Sequence, residues 1–192
     1  HPAAPSGMSA MLSGVVIASG VYAVIRTLTV LFPVQSTPFP IQYLFTLTSY
    51  GFPYSFPAFP YPFDWNYALV VLAIITMVVA NIMALLQKDI KRLLAYSSIL
   101  NIGFILIGFS TGTFLGYTAS WFHVINHAMM KGLLFLCAGA YLHAIGSRNL
   151  DDLSGIGKKM PTVSISLGIG SLALMGLPPF NGFWSKLLLI LA

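Results

Sequence analysis

The chain has 192 residues, 57% of them hydrophobic and only 7% charged, with nine Lys+Arg, four acids and a formal net charge of +5. A soluble domain carries about a quarter charged residues, so this chain cannot clothe a water-facing surface and belongs in a lipid bilayer. The positive charge is too sparse and scattered for nucleic-acid binding, and the lone Cys137 excludes an internal disulfide framework.

The first predicted element is a membrane span over 7–32. No positive segment precedes it, so it does not read as a signal peptide. With His1 in place of Met and Ala192 in mid-apolar run, the sequence reads as an internal piece of a longer membrane protein. Arg26 comes late in this span and reads as an anchor at the far surface. The connection 33–66 follows, holding most of the prolines and the run GFPYSFPAFPYPFDW. Such proline density excludes a helix interior or a central strand. Its aromatic rings suit the membrane–water boundary, so it reads as an interfacial loop; the alternative is a docking surface for a neighbouring subunit.

Further spans are expected over 67–86, 93–109, 118–145 and 163–192, each compared with roughly 30 Å of hydrocarbon at about 1.5 Å per residue. The last contains Pro178-Pro179. Proline removes a backbone donor and clashes with the preceding turn, so that helix should break there. The fold class is therefore an all-α membrane protein of about five transmembrane helices. Lys88, Lys91, Arg92, Arg148, Lys158 and Lys159 fall in the loops 87–92 and 147–160, while 33–66 and 110–117 hold no Lys or Arg. The positive-inside rule puts those basic loops on the cytoplasmic or matrix side of a plasma membrane or organelle inner membrane.

Charge inside the spans is the informative class, because it is costly and is kept mainly where it faces water or a partner. In WFHVINHAMMKGLLFLCAG, His123, His127 and Lys131 recur at spacings of four and share one helix face. Lys131 lies roughly 20 Å into its span, too deep to snorkel easily. A His–His–Lys row with intervening water makes a proton path; the alternative is two core histidines bonded to Asn126 or to a hydroxyl on another helix. Lys186 follows the Pro-Pro break in LMGLPPFNGFWSKLLLILA. A broken helix frees carbonyls that need polar neighbours, as in the discontinuous spans of transporters. Asn81, Ser97, Ser98 and Asn101 read as packing between helices, the alternative being that they hold water, and His143 reads as interfacial. No phosphate loop, metal-ligand pair or nucleophile–base set is evident, so no catalytic or metal residues are assigned.

Four stretches carry a family likeness: LLQKDIKRLLAYSSILNIGFILIG, HVINHAMMKGLLFLCAG, LDDLSGIGKKMP and LMGLPPFNGFWSK. They resemble the antiporter-like, proton-conducting membrane subunits shared by respiratory complex I, energy-converting hydrogenases and Mrp-type cation/proton antiporters. HPAAPSGMSAMLSG resembles the start of that module's eighth helix, so the likeness runs from helix eight to twelve of an inverted-repeat fold. The resemblance implies that Lys131 is the lysine of a central hydrophilic axis, with His123 and His127 as relay neighbours. It also implies that Lys186 is the lysine of the broken twelfth helix and His1 a histidine after the broken seventh. Many relatives carry a lysine where this chain has Ala18; the link there would then fall to water and Ser13 or Ser19. The implied function is proton or Na⁺ translocation within a redox-driven complex, protons passing along His123, His127 and Lys131 and leaving through Lys186. The alternative is a Mrp-type secondary antiporter without redox partners. No cofactor is expected in this chain; its partners are other membrane subunits and the bilayer.

Overall fold

The computed structural model of the chain describes residues 5–31 and 65–192. His1 and all but the last two residues of the connection expected over 33–66 lie outside those residues. The first rod comprises α1 (Ser6–Met11), a π turn over Leu12–Val16 and α2 (Ile17–Leu31). It is followed by α3 (Trp65–Leu85), α4 (Ile90–Ser110) and α5 (Phe114–Ile145). A 3₁₀ turn at Asp151–Leu153 and the short α6 (Ile156–Lys159) lead into α7 (Pro161–Met175) and α8 (Asn181–Leu191). Among the described residues, Ser6–Leu28, Asn66–Leu85, Ile90–Ser110 and Phe114–Ile145 are long and apolar enough to cross a membrane.

The expected break occurs. α7 ends at Met175, capped by Gly176 in the left-handed region (φ 88°), and α8 begins only at Asn181. Alone, α7 reaches about 22 Å at 1.5 Å per residue, short of the hydrocarbon thickness.

Several boundaries differ from the sequence expectation, two of them by about one helical turn. The third span starts at Ile90 rather than 93, because the Asp89 carboxylate caps it by accepting from the Lys91 and Arg92 amides at 2.8 and 3.2 Å. Lys91 and Arg92 therefore belong to the first turn of α4 rather than to a loop, and Lys91 is buried. The fourth span starts at Phe114 rather than 118, since Thr113 caps it through the Gly116 amide at 2.9 Å.

α5 is the central element. It packs against α1, the π turn, α4, α7 and α8, and its Leu134, Phe135, Ala138 and Tyr141 form a core with Ile90 and Leu94 of α4 and Ile156 of α6. α3 buries only a narrow stripe, with Leu69 and Ala73 against Leu106 of α4. Its remaining faces expose Val71, Ile75, Val78 and Ile82, apolar surface that suits lipid or a neighbouring subunit. At one end of the bundle Ile90 N–H donates to the Arg148 carbonyl at 3.1 Å and Leu150 N–H to the Lys88 carbonyl at 2.8 Å. The two basic segments are thereby held side by side.

Candidate functional site

The row on α5 points into the bundle: His123 and Lys131 are wholly buried (0% exposed) and His127 nearly so (4%). Four-residue spacing on a helix stacks these side chains along one face. Because α5 runs toward Arg148 and the basic segments, Lys131 lies nearest that end and His123 farthest from it. Sequence order along the row is therefore the reverse of distance from the basic end.

Lys131 reaches across to α4. Its Nζ donates to the Leu94 carbonyl at 2.8 Å and to the Ser97 hydroxyl. No Asp or Glu occurs in α4, α5, α7 or α8, so no carboxylate on those helices offsets a charge there. Burying an uncompensated ion costs several kcal/mol.

His123 is fixed from both sides. Its Nε2 faces Asn101 Oδ1 at 3.2 Å, and its Nδ1 faces the Ser185 hydroxyl of α8 at 2.9 Å. Asn101 in turn donates its amide to the Ser97 carbonyl at 2.7 Å. Polar contacts thus lead from Lys131 to the Ser97 hydroxyl, and from the Ser97 backbone carbonyl through Asn101 to His123 and Ser185; the two sets share the residue Ser97 and not one hydrogen-bond chain. Ser97 and Asn101, expected to join helices or hold water, make these contacts. Their four-residue spacing was the available signal; Ser185 carried none beyond its place before Lys186.

His127 stands differently. Its ring lies 6.3 Å from that of His123, centroid to centroid and nearly parallel, but its Nε2 has no hydrogen-bond partner among the described residues. It borders a cavity of about 10 Å³ shared with Ser13, Gly14 and Ala18, about the room one water centre requires. Ser13 is buried, its hydroxyl 2.6 Å from that of Ser98, and Ser98 donates to the same Leu94 carbonyl that Lys131 uses, at 3.0 Å. Ser19 is exposed and bonds back to the Val16 carbonyl at 2.8 Å, away from this cluster. His1 is outside the described residues.

Lys186 folds back over the break, donating to the Leu174 and Met175 carbonyls at 2.7 and 3.3 Å. A cation there complements the C-terminus of α7. Its Nζ is 5.3 Å from the Phe104 ring centroid, and that ring meets His123 edge-on at 6.4 Å. The start of α8 is held by a reciprocal amide pair: Asn126 donates to the Asn181 carbonyl and Asn181 to the Asn126 side chain, both at 3.3 Å. The remaining polar groups lie outside this cluster. Arg26 is half-buried and donates to the Tyr22 hydroxyl at 3.0 Å, while Asn81 and His143 are exposed. Among the described residues no three His, Cys or acidic side chains gather as a metal site.

Comparison with known proteins agrees with this fold. The family described as NADH:quinone oxidoreductase/Mrp antiporter, TM, matches residues 44–192. Hydrogenase-4 component B of Escherichia coli (strain K12) is 31% identical over 197 residues, covering 97% of this chain and 26% of that protein. Among solved structures, a chain of the membrane-bound sulfane sulfur reductase, an archaeal respiratory membrane complex, matches with a TM-score of 0.79 and 35% identity, over 99% of this chain and 34% of its own. A chain of the Mrp complex from Dietzia sp. DQ12-45-1b matches with a TM-score of 0.76 and 28% identity, over 99% of this chain and 30% of its own. The chain spans about a quarter to a third of the length of these relatives.

Proposed function

The chain belongs to the NADH:quinone oxidoreductase/Mrp antiporter transmembrane family, and from that premise we propose that it forms one proton-conducting half of an ion-translocating subunit in a redox-driven membrane complex. It is an integral, multi-pass membrane protein. The observation that carries the reading is the buried lysine Lys131, bonded among the described residues to a carbonyl and a hydroxyl on α4, with no acid on α4, α5, α7 or α8. Such a group holds or releases a proton at small structural cost, because an amine and an ammonium both donate to the same two oxygens.

In this reading the basic segments Lys88–Arg92 and Arg148–Lys159 face the cytoplasm or matrix. Protons are taken up at the Lys131 end, pass by way of His127 and His123, and leave past Lys186. This reverses the order expected from the numbering, for the reason that α5 descends toward the basic end. Ser13 and Ala18, the position where many relatives are expected to carry a lysine, both line the cavity at His127, and water there would stand in for that lysine. Charge couples the steps: a proton on one buried base disfavours a proton on the next. No catalytic or cofactor-binding role is assigned to this chain; electron transfer would belong to partner subunits.

A second reading, a gradient-driven cation/proton antiporter, is favoured by the likeness to the Mrp complex over 99% of this chain. The full-length protein, purified with its native neighbours and reconstituted in vesicles, separates the two. The redox reading expects proton uptake when an electron donor and a quinone-type acceptor are supplied. Flux driven only by a sodium or potassium gradient supports the antiporter instead, and flux in neither mode overturns both.

A further inference from the structure

We infer that the Ser185 hydroxyl is the positioning group that lets His123 change its charge without moving, which ties the broken helix to the relay. The inference rests on the proton-translocating reading. It follows from which hydrogen bonds each protonation state can make.

The Asn101 amide fixes one side. Its Nδ2 is committed to the Ser97 carbonyl at 2.7 Å, so Oδ1 is the atom facing His123 Nε2. A side-chain carbonyl oxygen only accepts; Nε2 must therefore carry hydrogen in both states of the ring. Neutral His123 then has its lone pair on Nδ1, where it accepts the Ser185 O–H across 2.9 Å.

Ser185 has somewhere else to point. The same oxygen lies 3.2 Å from the Gly182 carbonyl, an ordinary back-bond for a helical serine. When the imidazole gains one proton from the relay, Nδ1–H donates to Ser185 Oγ and the hydroxyl hydrogen turns to the Gly182 carbonyl. Ser185 keeps its hydrogen throughout, and the ring goes from one N–H to two. Neither state leaves a buried donor or acceptor orphaned, which is the expensive outcome in a low-dielectric interior.

The other titratable groups near the ring are His127 on α5 and Lys186 on α8, with Lys131 two turns away on α5. α4 meets it with the neutral Asn101 and Phe104. Ser185 is wholly buried and belongs to α8, so the position of the helix beyond the break decides whether His123 has its second partner. A shift of α8 that withdraws Ser185 would disfavour both charge states together.

The test uses the full-length protein in its assembled complex, with Ser185→Ala and with Ser185→Cys, which keeps a weak S–H donor at similar volume. Two readouts are needed: the Nδ1 resonance of ¹⁵N-labelled His123, assigned by its loss in His123→Gln, and proton flux against pH. The inference expects Ser185→Ala to shift the Nδ1 resonance, displace the pH profile and lower flux about tenfold, with Ser185→Cys between it and the wild type. An unchanged resonance and pH profile in Ser185→Ala, while Lys131→Ala still lowers flux, overturns the Ser185 assignment alone. A shifted resonance with flux indifferent to both Ser185→Ala and Lys131→Ala overturns the transport reading instead.

Discussion

Replacing Lys131 by alanine in the full-length protein is expected to cut proton flux into reconstituted vesicles at least tenfold. Lys131 is the titratable group of the buried row nearest the basic end of the bundle, where the proposed path takes up its proton. Its neighbours along α4, Ser97 and Asn101, hold position but do not carry charge at working pH. Without the amine, the proton must reach His127 from the basic end with no base to stop at before it, and several kcal/mol of desolvation return to the barrier. Lys131→Met, which nearly preserves the buried volume, should lose flux to the same degree. That pairing separates lost chemistry from a packing defect. Wild-type flux in either variant would remove Lys131 from the path.

The second large effect is structural. A side chain on Gly182 would run into the Ala173 carbonyl oxygen, a backbone atom that cannot swing aside. α7 and α8 thus touch backbone to backbone just past the break. Gly182→Ala must push α8 away, and with it go the Asn126–Asn181 pair and the Ser185–His123 bond. Overpacking of this kind costs about 1–3 kcal/mol, so the folded yield and thermal midpoint of the purified protein should fall and flux with them. Gly132→Ala is the control: a Cβ there meets nothing within 4 Å, and alanine is the better helix former. Equal stability of the two variants would refute the close approach of α7 and α8.

The architecture was largely readable before any coordinates. Long apolar runs, a double proline and a four-residue row of ionisable side chains each have one inexpensive solution in lipid, and the structure adopts it in the broken last span and the buried face of α5. Boundaries were less readable. Lys91 and Arg92 look like loop residues on hydropathy alone, yet Asp89 caps the helix ahead of them and draws both into its first turn. The partners of the row were less readable still. Serine and asparagine are common between membrane helices, and a single sequence does not say which helix they face. Ser97 and Asn101 therefore resembled ordinary packing, and Ser185 passed unnoticed beside the charged Lys186. The π turn at Leu12–Val16, which brings Ser13 to Ser98, has no signature in LSGVV that periodicity detects.

The central claim is that the buried lysine exchanges its proton, as opposed to serving as a fixed cation that anchors α5 to α4. Proton flux through Lys131→Arg, measured in complexes that assemble to the wild-type level, asks this directly, because arginine keeps the charge and the donors but does not release its proton in a protein. The account predicts that Lys131→Arg conducts no better than Lys131→Met. Wild-type flux with arginine in place would contradict it.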